Sequence, residues 1–295
     1  MIFLKEATRL FNSKELSIFA GGDLEFLIKV ASRYKDVLDD NFYARDVFYH
    51  CYREAEKNYK NEYFFKNIIT KNILIGRYSL NTSTMLSEFR VGSSKADCVI
   101  LNGISTCYEI KSEYDSLVRL PEQLESYLKL FDKVYVVTTE SHCDKLESIL
   151  PDSVGVLKLN SRNALSEVKK ASLSGYPVDV DVLMSSLRKN EYLEVVRNLF
   201  GVVPETSNAM AYAACRELLF TADSGDIRKA FCETLKKTRR IDKEFVGNLP
   251  ESLLAAGVEY GLSHASKLKL LQNLNISLSK DTICTTQFFG ENDMN

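Results

Sequence analysis

The chain has 295 residues, 45% apolar and 26% charged. That is enough apolar surface to offset the entropy of ordering it, so disorder is excluded as the overall state. Lys and Arg number 38 against 40 Asp and Glu, a formal net charge of −2; a uniformly basic nucleic-acid binder is excluded, and any positive charge for such a partner must be local.

The seven cysteines, Cys51, Cys98, Cys107, Cys143, Cys215, Cys232 and Cys284, are odd in number and form no C-x-x-C pair. A disulfide framework and a zinc knuckle are both excluded, and the thiols read as those of a cytoplasmic protein. His50, His142 and His264 lie far apart and read as structural, so a metal here needs oxygen ligands. No apolar run approaches the roughly 18 to 20 residues that span a bilayer. Met1 to Leu10, with Lys5, Glu6 and Arg9 among apolar residues, reads as a short helix and not a signal peptide.

Residues 1–60 read as a helical segment. Gly21-Gly22-Asp23 breaks it, and Ala31 to Tyr59 follows with Val37, Leu38, Phe42, Phe48, Tyr49 and Tyr52 as expected buried positions. Residues 61–160 change texture to α/β. Glu62 to Ile75 carries a helical stripe of Phe64, Phe65, Ile68, Ile69, Ile73 and Leu74. Strands are expected over Met85 to Val91, Lys95 to Leu101 and Thr106 to Ser112, with Asn102-Gly103 as a hairpin signal between the last two. A helix over Leu117 to Phe131 has Pro121 in its first turns. Lys133 to Thr139 is nearly all apolar, as a strand buried on both faces should be. His142 to Leu150 reads as helix and Val154 to Leu159 as a fifth strand. Residues 175–280 read as a helical C-terminal domain, with helices over Leu187 to Phe200, Asn208 to Phe220, Ile227 to Lys237 and Leu253 to Leu274. Residues from Phe288 onward are expected to fray.

Chemistry concentrates in the hairpin. Glu109 and Lys111 are two apart, so a strand points both to one face. Asp97 on the neighbouring strand joins them only if the hairpin loop has an odd number of residues; a three-residue loop Leu101-Asn102-Gly103 does this and puts Gly103 where a positive φ is wanted, whereas a two-residue Asn-Gly loop turns Asp97 away. Two carboxylates and a lysine on one face are costly unless a cation relieves the repulsion. Mg²⁺ suits such oxygens, together with a backbone carbonyl, here that of Ile110. A second E-x-K, Glu167-Val168-Lys169, reads as a solvated charge pair on a helix.

The order helix, strand, strand with Asp97, strand with Glu109-Ile110-Lys111, helix, apolar strand resembles the PD-(D/E)XK (restriction-endonuclease-like) nuclease superfamily over about a third of the chain. Gln123 and Tyr127, four apart on one helix face, resemble the Q-x-x-x-Y of its RecB-like members. No proline precedes Asp97, a departure the superfamily tolerates. The whole chain resembles a bacterial group that couples this core to a helical C-terminal region.

The resemblance implies an αβββαβ core in which Asp97 and Glu109 hold Mg²⁺ or Mn²⁺ and Lys111 assists hydrolysis of a phosphodiester. It adds Glu62 on the preceding helix as a further acid, with Glu88 a second candidate whose ordinary reading is an ion pair with Arg90 or Lys95. The expected activity is that of a metal-dependent nuclease acting on DNA, in genome defence or DNA processing. The alternatives are an inactive nuclease fold used for binding or regulation, and an RNA-directed nuclease. Arg90, Lys95 and Arg119 surround the expected site, and Lys236, Lys237, Arg239 and Arg240 lie in a basic stretch over Arg228 to Lys243 that contacts phosphates or is simply a solvated helix end. The C-terminal helices are expected to meet substrate, a partner or a second copy.

Overall fold

The computed structural model describes residues 2–283. They form two compact units, one from the residues up to Asn67 together with those from Asp242 onward, the other from Ile68–Ile241. The C-terminal helical stretch, 175–280, is divided between the two units.

The first unit opens with α1 (Ile2–Ala7), a 3-10 turn over Thr8–Phe11, α2 (Ser13–Ala20), α3 (Glu25–Arg33), the short strand β1 (Asn41–Tyr43), α4 (Ala44–Asn58) and the start of α5 (Glu62–Ile69). The helical segment expected over residues 1–60 is thus interrupted by β1 between α3 and α4. Leu38, Phe42, Phe48 and Tyr52 are buried as expected, but Val37 and Tyr49 are exposed.

In the second unit a π-helical turn over Thr70–Ile75 leads to β2 (Thr84–Val91), β3 (Ser94–Leu101) and β4 (Ser105–Lys111). Then come α6 (Leu120–Leu128), β5 (Lys133–Thr138), α7 (Glu140–Ile149), β6 (Gly155–Leu159) and β7 (Leu165–Lys169). Four helices complete it: α8 (Val180–Ser186), α9 (Lys189–Phe200), α10 (Ala211–Leu219) and α11 (Ser224–Thr238). The chain returns to the first unit with α12 (Lys243–Gly247), α13 (Leu254–Glu259), α14 (His264–Asn273) and β8 (Ser277–Ser279). The single helix expected over Leu253 to Leu274 is two, because Gly261-Leu262 breaks it and the Ser263 side chain caps α14 by accepting from the Ser266 N–H.

The six strands of the second unit lie in the order β2-β3-β4-β5-β6-β7. β4, β5 and β6 run parallel and the outer pairs are antiparallel. The molecule is therefore mixed α/β. Glu167-Val168-Lys169 lies on β7, not on a helix, and Glu167 accepts a hydrogen bond from the Tyr135 hydroxyl at 2.6 Å. Gly155 is required at the start of β6, since a Cβ there would come within 2.4 Å of the Tyr135 ring.

One face of the sheet, with Val99, Leu101, Cys107, Val134, Val136 and Val156, packs against α6 and the helices α8, α9 and α11 through Leu124, Tyr127, Leu183, Val195, Phe231 and Leu235. Burial of a side chain of this size is worth roughly 1.5 to 3 kcal/mol. Asp179 and Asp223 start α8 and α11 by accepting from backbone N–H groups of the first turn. Cys98 and Cys107 are core fillers, and Cys51, Cys143, Cys215 and Cys232 are also buried thiols; Cys284 and the stretch from Phe288 lie outside the described residues.

The first unit has an aromatic core, in which Phe11 stacks on Tyr63 with centroids 4.9 Å apart and meets Phe48 edge-on. Asn67 is fully buried there, and its amide bonds the Tyr52 hydroxyl, the Glu251 carbonyl and the Ala255 N–H. β1 and β8 pair antiparallel, Phe42 opposite Leu278. Among the described residues no helix is long and apolar enough to cross a membrane.

Candidate functional site

The site is built on the β3–β4 hairpin. Leu101 pairs with Ser105, so the loop has three residues, Asn102 to Ile104, one position further along than Leu101-Asn102-Gly103. The parity is the expected one, and Gly103 takes φ +115°. In this register Asp97 stands beside Glu109 and Ile110, and its Oδ2 accepts the Ile110 N–H at 2.6 Å. Successive residues of an extended strand turn their backbone groups to opposite sides, N–H and C=O of one residue together. The Ile110 carbonyl is therefore turned toward β3 and Asp97, whereas the Lys111 carbonyl is turned toward β5, where the Thr138 hydroxyl donates to it at 2.7 Å.

Glu109 is 1% exposed and meets groups from two elements. Its Oε1 accepts from Lys111 Nζ at 2.7 Å and from Gln123 Nε2 at 2.6 Å. Gln123 Oε1 in turn accepts from Lys111 Nζ at 3.1 Å, the orientation of the amide that satisfies ammonium and carboxylate together. The other carboxylate oxygen, Oε2, lies 3.0 Å from the Tyr127 hydroxyl, which is also 2.6 Å from the Lys95 carbonyl. A phenol has one proton, so Tyr127 serves one of these acceptors at a time and Oε2 is the under-supplied oxygen. Burial raises the Glu109 pKa above the ordinary carboxylate value, against the pull of the Lys111 charge and of the bonds from Lys111, Tyr127 and Gln123. Pro121 in the first turn of α6 sets where that helix begins, and so brings Gln123 and Tyr127 over the strand.

Glu88 is the residue whose backbone sequence reasoning misses. It lies in β2 opposite Asp97, between the pairs Ser87–Cys98 and Phe89–Ala96, and has φ +52°. The pairing register is the same on both sides, so no residue is inserted. The alternation of faces nevertheless changes phase: Leu86 and Phe89, three apart, enter the same apolar cluster, as do Ala96 and Val99 on β3. Strict alternation would send each pair to opposite faces. A left-handed glutamate inside a strand is strained by roughly 1 to 2 kcal/mol, and such strain gathers at functional sites. Across this rung, carboxylate oxygens of Glu88 and Asp97 lie within 4.8 Å of each other. Lys95 Nζ pairs with Glu88 at 3.1 Å, at the surface.

The remaining expected residues separate into two sets. Arg90, Lys95 and Arg119 are exposed. In the basic stretch, Arg239 makes a two-pronged bond to the buried Glu191, 2.7 Å on each side, and lies over the Phe89 ring. Lys237 pairs with Glu194 at 2.6 Å. Arg228 is buried and donates to the Leu128 and Tyr176 carbonyls. Much of that stretch therefore braces the helices, and the exposed Arg240 and half-buried Lys236 are what it offers to a phosphate. Glu62 belongs to the first unit, where it pairs with Lys66 at 2.7 Å across one helical turn. His142 has a structural partner, the Ser112 carbonyl 3.0 Å from its Nε2.

The class defined by these observations is a mixed α/β unit with a carboxylate–lysine–amide–phenol cluster where its sheet meets α6. The chain belongs to the bacteriophage P4 protein cII family, whose model matches residues 55–256. Protein cII of Enterobacteria phage P4 is 34% identical over 87 residues, covering 29% of this chain. That match spans about a third of the phage protein's own length. Among solved structures, a Silicibacter pomeroyi protein of unknown function matches with a TM-score of 0.30 and 16% identity, over 37% of this chain and 70% of that one; this likeness is too slight to carry an argument.

Proposed function

We propose that this protein is a divalent-metal-dependent nuclease of the PD-(D/E)XK type, hydrolysing phosphodiester bonds in DNA on a restriction-endonuclease-like core. The observation that carries the reading is the convergence of Glu109, Lys111, Gln123 and Tyr127 within hydrogen-bonding distance, with Asp97 seated on the Ile110 N–H.

The residues fit a hard cation. Asp97 and Glu88 crowd two carboxylates, and Glu109 is a buried carboxylate whose Oε2 shares a single proton with a carbonyl. Asp97, Glu109 and the Ile110 carbonyl would hold Mg²⁺ or Mn²⁺, with Glu88 as the added acid. When bound, the ion polarises a phosphoryl oxygen and makes its water a stronger acid. Lys111 places an ammonium where negative charge develops on the phosphate, and Gln123 fixes that ammonium against Glu109. Tyr127 holds the Glu109 carboxylate against rotation. Arg90, Lys95 and Arg119 are positioned for the flanking phosphates. Glu62 is the further acid that the resemblance implies.

The test is nicking of supercoiled plasmid with Mg²⁺ or Mn²⁺ by the wild type, Asp97→Ala and Lys111→Ala. The wild type is expected to nick, and each variant to lose about 10²- to 10³-fold in rate. Equal rates in all three would remove the site from the reaction. A folded wild type that cleaves neither DNA nor RNA would overturn the nuclease reading in favour of a binding or regulatory role.

A further inference from the structure

The proposed chemistry depends on where Lys111 holds its ammonium, yet Lys111 is the last residue of β4. Its rung with Thr138 is the last of the β4–β5 ladder. Residues 113–116 that follow are exposed. A strand end next to an exposed loop is where a ladder frays, so something else must hold the backbone that carries Lys111.

Two side chains from the next βα unit do so. Thr138, fully buried at the end of β5, donates its hydroxyl to the Lys111 carbonyl at 2.7 Å. In the first turn of α7, His142 places Nε2 3.0 Å from the Ser112 carbonyl. A carbonyl only accepts, so Nε2 carries the proton and donates. From within the loop, Asp115 Oδ2 accepts the Ser112 N–H at 2.8 Å and the Ser112 hydroxyl at 2.6 Å. Two consecutive carbonyls are thus held by side chains from a neighbouring strand and helix, at and just past the last rung of the ladder.

We propose that Thr138 and His142 are positioning residues for Lys111, latching the Lys111 and Ser112 carbonyls so that the ammonium stays between Glu109 and Gln123. This rests on the reading of Lys111 as the assisting lysine. Packing alone does not call for the Thr138 hydroxyl: valine has the same shape and suits a buried strand as well.

The test combines a chemical readout with a kinetic one. Acylation of lysines by an N-hydroxysuccinimide ester, mapped by peptide mass spectrometry on the full chain, is measured in the wild type, Thr138→Val, Thr138→Ser, His142→Phe and His142→Gln. Lys111 labelling is expected to rise about fivefold in Thr138→Val and in His142→Phe, the local opening that loss of one hydrogen bond allows. Thr138→Ser and His142→Gln, which keep a donor, should return it toward the wild-type rate, and the half-exposed Lys129 should label equally in all. In the nicking assay, kcat should fall about tenfold in Thr138→Val with little change in KM. Unchanged Lys111 labelling in Thr138→Val and His142→Phe would overturn the latch, whatever the nicking assay gives. Raised labelling at Lys111 and at Lys129 alike would also overturn it, as general loosening. Raised labelling confined to Lys111, in a protein whose wild type cleaves nothing, would support the latch and remove the nuclease reading.

Discussion

Two buried carboxylates of the second unit each meet a cation, and they are not alike. Glu191, at the start of α9, is fully buried and receives both prongs of Arg239 and the Arg188 N–H. Burial works against its charge, but those bonds win, and its pKa is lowered. Glu109 receives an ammonium and an amide on one oxygen and half a claim on a phenol at the other, and burial wins: its pKa is raised. The first carboxylate is satisfied by the protein and ties α9 to the end of α11. The second has its ammonium on one oxygen, while the other shares the single proton of a phenol with a carbonyl. A buried charge whose needs are met is a brace; one whose needs are left open is a candidate for binding.

The largest expected effect separates them by stability. Glu191→Ala strands the Arg239 guanidinium and should destabilise the full chain by about 3 kcal/mol in urea. Glu109→Gln keeps an amide oxygen that can accept from Lys111 and should cost clearly less than that in chelator-treated protein. Equal losses in both would erase the distinction.

A smaller effect has opposite signs at the two sites. Glu191 has a depressed folded pKa, so its stabilisation is present above the ordinary value of 4.5 and is lost as pH falls through it toward the folded pKa. Glu109 has a raised folded pKa, so its penalty is absent below 4.5 and grows as pH rises from there through the folded pKa. Urea midpoints of Glu191→Gln and Glu109→Gln between pH 3 and 7 should therefore diverge from the wild type in opposite directions as pH rises. The smallest effect tests the strained partner of Asp97. Glu88→Gly relieves the left-handed backbone and should stabilise the metal-free chain by up to about 1 kcal/mol, while weakening its stabilisation by Mg²⁺ in thermal melts.

Most of the candidate cluster was legible because its spacings are local. Glu109 and Lys111 are two apart on a strand, Gln123 and Tyr127 four apart on a helix, and loop parity related Asp97 to both. The misses have long-range or type-blind causes. Arg239 read as a phosphate contact because its partner Glu191 is 48 residues away. Glu167-Val168-Lys169 read as helical because its strand character comes from pairing with β6 and from the Tyr135 hydroxyl. Glutamate carries no signal for a positive φ, so the break at Glu88 was invisible. Nothing in Asn41–Tyr43 or Ser277–Ser279 announces a strand, since each is three residues long and exists through the other.

That last pairing bears on how the molecule comes into being. Arg45 donates to the Asn275 side chain across 230 residues of chain, and Asn273 closes on the Phe19 carbonyl. A growing chain emerging N-terminus first can complete the second unit while the first still waits for its other half. The aromatic residues of the early helices stay without their late partners until the segment from Asp242 has emerged. Truncation between α11 and α14 would thus spare the sheet that carries Glu109 and Lys111 and leave the amino-terminal segment without the α14 and β8 on which it closes.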